Sequence, residues 1–236
     1  KTSTNLSIKY VSAKNKKKKR KVKIPKTKWL KNYLDASKLD DIDIVIELIG
    51  GADGPAKKLI FDAIRKKKHV VTANKSLISK YGDQLALLAE KNKVNIEFEA
   101  AVAGGIPILR TLKDGLSTNK INKVVGILNG TCNYILSEME FLKDSFLNVL
   151  KRAQSLGYAE PRNPKFDLNG QDALSKVKIL SALAFNKKIS KSNCLMNGIE
   201  NIELEDIEMA NKLDYRIKLL GITEIIKNKL FERVHP

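Results

Sequence analysis

Short apolar, β-branched runs alternate with longer amphipathic stretches through the first hundred residues, and this alternation restricts the fold more than any other feature of the chain. Strands separated by helix-forming segments pair in parallel, because the chain must cross back before the next strand can start. Residues 6–11 read as a strand, followed by a basic loop over 14–20 and a helix-like stretch over 30–36. The apolar strand 42–48, flanked by acids, runs into Ile49-Gly50-Gly51. Pro55 suits the first position of an amphipathic helix that reaches about Lys67. Residues 69–72 and 94–99 read as two further strands, and 76–92 as the helix between them. The expected fold class is α/β, beginning with part of a doubly wound parallel sheet.

Beyond Gly104-Gly105-Ile106-Pro107 the pattern changes to longer helices broken by short β-like stretches such as 123–128. We therefore expect two domains, an incomplete sheet domain over residues 1–108 and an α+β domain over 109–236. There is no internal repeat. The low-complexity run Lys16-Lys17-Lys18-Lys19-Arg20 reads as a mobile loop.

A formal charge of +18 in 236 residues raises binding to nucleic acid or to anionic membranes. The type of cation argues against it: seven Arg stand against 37 Lys, and Arg is the residue that makes bidentate phosphate and guanine contacts. Most of the excess is read as solvated surface, so neither nucleic acid nor membrane is expected as a partner. Cys132 and Cys194 are too few and too far apart for a disulfide framework or a four-ligand metal site, which suits a reducing cytoplasm. No apolar run approaches the roughly 20 residues that span a bilayer, and residues 1–30 hold no apolar signal segment.

In an open parallel sheet, ligands lie beyond the carboxyl ends of the strands, where helix N-termini present free N–H groups. Three segments fall there. Gly50 and Gly51 would let a ligand approach the backbone, although a Gly-Gly turn before a helix is commonplace. Thr72-Ala73-Asn74-Lys75 would aim Lys75 at the sheet's upper edge, as any loop lysine could. The third segment runs from Glu99 to Pro107. In the second domain, at 100° per residue, Asp172, Lys176, Ile179 and Leu183 share one stripe, beside an apolar face of Ala173, Val177, Leu180 and Ala184. One reading is a surface ion pair at i, i+4; the other is a partly buried pair in which desolvation opposes the lysine's charge and the aspartate supports it.

Taken together, Thr72-Ala73-Asn74-Lys75, the Glu99-Ala100…Gly105-Ile106-Pro107 turn, Gly126-Ile127-Leu128-Asn129-Gly130-Thr131-Cys132-Asn133-Tyr134, Gly157-Tyr158-Ala159-Glu160-Pro161 and Asp167…Asp172…Lys176 resemble the homoserine dehydrogenases. The resemblance runs from about residue 40 to 236. It implies a Rossmann-type nucleotide domain followed by a catalytic, substrate-binding and dimerisation domain. The implied reaction is the reversible NAD(P)H-dependent reduction of aspartate 4-semialdehyde to homoserine, a cytoplasmic step in threonine, methionine and isoleucine biosynthesis. It further implies Lys176 and Lys75 as proton-relay groups and Glu160, Asp172 and Asp167 as substrate ligands, Glu160 toward the ammonium group. Gly50, Gly51, Lys75, Asn129 and Gly130 would face the cofactor. A monovalent cation such as Na⁺ would sit on oxygens of Glu99, Val102, Gly104 and Ile106, and the protein would be a homodimer. The stretch Arg162-Asn163-Pro164-Lys165-Phe166 departs from the family's acid-rich segment and is about one residue longer, which affects the placement of Asp167.

An NAD site places an acid at the end of the second strand, whereas an NADP site places cations there. Residues 1–34 contain no acid, so NADP is the expected cofactor, with Ser12 and Lys14 near its 2′-phosphate and NAD as the alternative. No G-x-G-x-x-G occurs, and residues 6–11 read as the second strand, so the chain is expected to be a fragment lacking both ends, inactive and poorly soluble by itself. Two rivals stay open. One is another amino-acid or semialdehyde dehydrogenase, for which Cys132 could serve as the nucleophile. The other is a nucleic-acid-binding module built on the basic stretch 14–26.

Overall fold

The computed structural model describes residues 6–161, 163–192 and 194–236; Arg162 therefore lies outside the description. The chain divides into two compact units, one ending at Ala101 and the other spanning Val102–Pro236. In the first, the parallel strands β1 (Ile44–Glu47), β2 (His69–Thr72) and β3 (Ile96–Glu97) stand side by side in that order. The helices α1 (Pro55–Arg65) and α2 (Lys75–Asn92) connect them. Pro55 opens α1 as expected. Ala56, Leu59, Ile60, Ala63 and Ile64 form its buried stripe, at the i, i+3, i+4, i+7 spacing of a half-buried helix. That stripe faces a unit core shared with Leu77, Ile78, Leu85 and Ala89 of α2.

Four expectations change in this unit. Residues 6–11 do not form a regular strand: Val11 makes an isolated parallel bridge to Trp29, and Leu6 and Ile8 are 84% and 69% exposed. Strand-like composition becomes a strand only where a neighbour pairs along its length. Residues 30–36 make a 3-10 turn, Tyr33–Ser37, started by the Asn32 side chain accepting from Leu34 N–H; so short a segment does not nucleate an α-helix. The strand expected over 94–99 keeps only Ile96–Glu97, because Glu99–Ala101 already turns as 3-10 helix. The lysine run is stapled: the Arg20 guanidinium donates to the carbonyls of Asn15, Lys16 and Lys18 and lies 5.1 Å from the Trp29 ring.

The second unit opens on α3 (Ile108–Arg110), which passes into a π-helical turn, Thr111–Gly115. Then come β4 (Lys123–Gly126), α4 (Gly130–Leu142), α5 (Phe146–Leu156), α6 (Lys165–Leu168) and α7 (Gln171–Ala184). The remainder is β5 (Leu195–Met196), α8 (Leu204–Lys212), β6 (Leu220–Ile226) and β7 (Lys229–His235). The sheet order is β4-β6-β7-β5, antiparallel except for the β5–β7 pair. The core of Cys132, Ile135, Leu136, Ala173, Val177 and Val234 lies between the helices and this sheet. The α/β architecture, a parallel sheet followed by an α+β unit, is the one the alternation predicts.

Two glycines mark where elements meet backbone to backbone. A Cβ on Gly221 of β6 would come within 2.7 Å of the Val177 and Leu128 side chains, so its absence lets α7 sit down on the sheet. A Cβ on Gly198 would overlap the Leu168 carbonyl, which accepts from Ile199 N–H and ends α6. Gly198→Ala is therefore expected to cost about 3 kcal/mol, the upper end of overpacking, read as a fall in the urea midpoint. An unchanged midpoint would show that this turn opens freely.

Candidate active site

In the first unit the carboxyl ends of β1 and β2 are tied by a buried acid. Glu47, 1% exposed, accepts from Ile49 N–H at 2.6 Å and Gly50 N–H at 2.9 Å through one oxygen, and from the Thr72 hydroxyl at 2.6 Å through the other. Thr72 Oγ1 accepts in turn from Asn74 N–H. The Asn74 side chain donates to Gly51 O at 2.8 Å and caps α2 by accepting from Leu77 N–H. Gly50 and Gly51, both exposed with φ of +82°, form the resulting turn; left-handed φ at consecutive positions is what glycine allows. Lys75 is the first residue of α2, where the helix dipole opposes a cation. Ser12 and Lys14 are exposed and directly follow the Val11 bridge.

The second unit gathers its chemistry where β4 gives way to α4. Lys176 Nζ donates to Leu128 O at 2.6 Å and to Asp172 Oδ2 at 2.7 Å. The Lys176 side chain is 15% exposed and that of Asp172 3%, which decides between the two sequence readings in favour of the buried pair. Asn129, also buried, donates from Nδ2 to Asp167 Oδ1 and to Asp172 Oδ2, both at 2.9 Å, while its Oδ1 caps α4 by accepting from Cys132 N–H. Gly130, exposed, is the first residue of α4. Asp167, Asp172, Lys176 and Asn129 thus form one bonded cluster.

Glu160 lies on the exposed connection after α5. Its position is fixed through its neighbours: Tyr158 stacks on Tyr134 of α4 with centroids 4.4 Å apart, and the Thr131 hydroxyl donates to Tyr158 O. The turn read as a cation site places Glu99 at the end of the first unit and Val102, Gly104 and Ile106 at the start of the second. Ala103 and Gly105 have φ of +50° and +90°, so the backbone reverses sharply between these oxygens. Among the described residues no group of three or more His, Cys, Asp and Glu side chains could hold a metal ion.

The cluster is rich in negative charge. Burial first, then the charges of Asp167, Asp172 and Glu200, push the Cys132 thiol up to about 12. Glu47, its bond to the Thr72 hydroxyl and the bridging role of Asn129 are absent from the sequence reading. A single acid inside the otherwise apolar run Ile44-Val45-Ile46-Glu47-Leu48 was the available signal for the first. Nothing local signals the bridge, since its partners are 38 and 43 residues away.

The described residues contain no helix long and apolar enough to cross a membrane. The family model described as "Homoserine dehydrogenase" matches residues 107–236, and that described as "Homoserine dehydrogenase, NAD binding domain" matches residues 1–99. The chain is 47% identical over 212 residues to a homoserine dehydrogenase of Neisseria gonorrhoeae, covering 90% of this chain and 48% of that protein. It is 44% identical over 231 residues to one of Bacillus subtilis, covering 98% of this chain and 53% of that protein. The crystal structure of a homoserine dehydrogenase from Thiobacillus denitrificans superposes with a TM-score of 0.86 at 47% identity, over 89% of this chain and 48% of the other. The chain spans about half the length of the curated relatives it matches. With its two halves matched in order by that family's two domains, the chain belongs to the homoserine dehydrogenase family.

Proposed function

We propose that the protein carrying this chain is a homoserine dehydrogenase, reducing aspartate 4-semialdehyde reversibly to homoserine on the route to threonine, methionine and isoleucine. The observation that carries the reading is the buried Lys176–Asp172 pair at the exit of β4, in the family's catalytic domain. A bound nicotinamide cofactor supplies the hydride. Lys176 then gives a proton to the carbonyl oxygen and takes it back in the reverse direction, while Asp172 and Leu128 O fix the ammonium group's direction. Lys75 serves as the second relay group. Glu160 takes the substrate's ammonium group, and Asp167 and Asp172 complete a polar site that leaves an apolar analogue unpaired.

The turn holding Gly50 and Gly51, the N-terminal N–H groups of α2, and the backbone at Asn129 and Gly130 suit a dinucleotide. Ser12 and Lys14, with no acid nearby in sequence, favour NADP over NAD. Backbone oxygens of Glu99, Val102, Gly104 and Ile106 would supply an all-oxygen donor set of low charge, which fits a hard monovalent cation such as Na⁺. On the sheet face away from α7, Val125, Leu195, Ile226 and Phe231 are 43–57% exposed around the Lys123–Glu224–Arg233 ion row, which supports a homodimer joined through this sheet. Free thiols at Cys132 and Cys194 suit the cytoplasm.

The assay is oxidation of NADPH and NADH by aspartate semialdehyde, using the full-length protein. Turnover with preference for NADPH is expected, and Lys176→Ala should lower kcat by about 10²-fold or more. A folded Lys176→Ala protein with most of its kcat would contradict the assignment. The acylating alternative needs a thiolate, and the buried Cys132, pushed up to about 12, stays protonated through the neutral range. Native protein at pH 7.5 should therefore react slowly with iodoacetamide at Cys132 and keep its activity. Rapid labelling there with loss of turnover would revive the acylating reading.

A further inference from the structure

We infer that Asn129 is a positioning residue for the acid–base group: its amide holds Asp167 and Asp172 as a facing pair of carboxylates, so that Asp172 keeps Lys176 aimed at the end of β4. The inference rests on the reading of Lys176 given above.

Every polar atom of the Asn129 side chain is committed. Its nitrogen bonds the two carboxylates and its oxygen caps α4 at 2.8 Å, in a residue 3% exposed. An amide has two N–H groups in one plane, so one rigid group sets the angle between Asp167 on α6 and Asp172 on α7. The two accepting oxygens each lie 2.9 Å from the same nitrogen and so stand within twice that distance of each other. Like charges this close raise one another's affinity for protons unless donors are aimed between them. Consecutive residues also grip both ends of the ion pair, Leu128 by its carbonyl on Lys176 and Asn129 by its amide on Asp172. Among the described residues, Asp167 from α6 and Asp172 from α7 touch the amide, Lys176 of α7 pairs with Asp172, and the Cys132 thiol on α4 feels these charges together with that of Glu200 from the turn before α8. Among these described groups the Asn129 amide is the neutral donor aimed at both Asp167 and Asp172.

The test uses Asn129→Ser and Asn129→Asp in the full-length protein. Both keep an oxygen to cap α4, and both remove the bridging N–H groups. Loss of a bond that aims a general acid should lower kcat by about tenfold or more. In Asn129→Ser the affinity for NADPH, read from its fluorescence, should stay within about twofold, because the backbone that faces the cofactor is kept and the replaced side chain has no atom left for it. The acid limb of the kcat/KM profile should move to higher pH, further for Asn129→Asp, which adds a carboxylate. An unmoved kcat and limb would show that the carboxylates align by themselves. An NADPH affinity weakened by about tenfold with an unmoved limb would make Asn129 a cofactor ligand instead. A wild-type protein without semialdehyde reductase activity would overturn the functional reading alone. The carboxyl ¹³C titrations of Asp167 and Asp172, expected to shift to higher pH in Asn129→Ser, would then decide the inference, and unshifted titrations would overturn it.

Discussion

The Lys176 ammonium group sits between two oxygens, the Asp172 carboxylate at 2.7 Å and the Leu128 carbonyl at 2.6 Å, and the second unit is arranged to permit this. It requires α7 to lie close on the sheet, which Gly221 allows. It also requires β4 to end beside α7, with Asn129 starting α4 and gripping Asp172 at once. A buried ion pair is a poor way to gain stability, because desolvation offsets most of the attraction, while losing one partner costs about 3–5 kcal/mol. On the proposed function the pair serves chemistry instead: a lysine shielded from bulk water and held in one direction, as a proton-relay group would need to be.

The first unit solves a different problem with a similar device. Two glycines with left-handed φ make a turn that is open to a ligand and would otherwise be loose. The buried Glu47 takes up two of its N–H groups and reaches the Thr72 hydroxyl on the neighbouring strand, and Asn74 holds the Gly51 carbonyl. The two loops at the carboxyl ends of β1 and β2 become one braced surface. That bracing also fixes the start of α2, and with it Lys75.

Local features carried most of the fold. The stripe from Ala56 to Ile64 and the short apolar runs of β1 and β2 could be read directly, because helix periodicity and β-branched runs need only near neighbours. Residues 6–11 could not, because a strand's existence depends on a partner elsewhere; what pairs with Val11 is Trp29, through one bridge. The site divides the same way. Asp172 and Lys176 lie one helical turn apart at the edge of an apolar face, so the pair itself was legible, while the choice between a surface and a partly buried pair needed the packing of α7 on the sheet. The Asn129 bridge and the Tyr134–Tyr158 stack join segments that are distant in sequence, and each residue alone looks like an ordinary cap or surface aromatic.

The central claim is that the buried pair is kept for chemistry rather than for stability, and a paired substitution separates the two most directly. Asp172→Asn with Lys176→Met removes both charges at nearly constant volume and leaves an amide oxygen for Asn129 to donate to. The account predicts that the full-length double variant unfolds within about 1 kcal/mol of the wild type, as when buried ion pairs are replaced by neutral groups. It should bind NADPH normally and lose turnover by about 10²-fold or more. A double variant that turns over normally but is several kcal/mol less stable would show that the pair is structural.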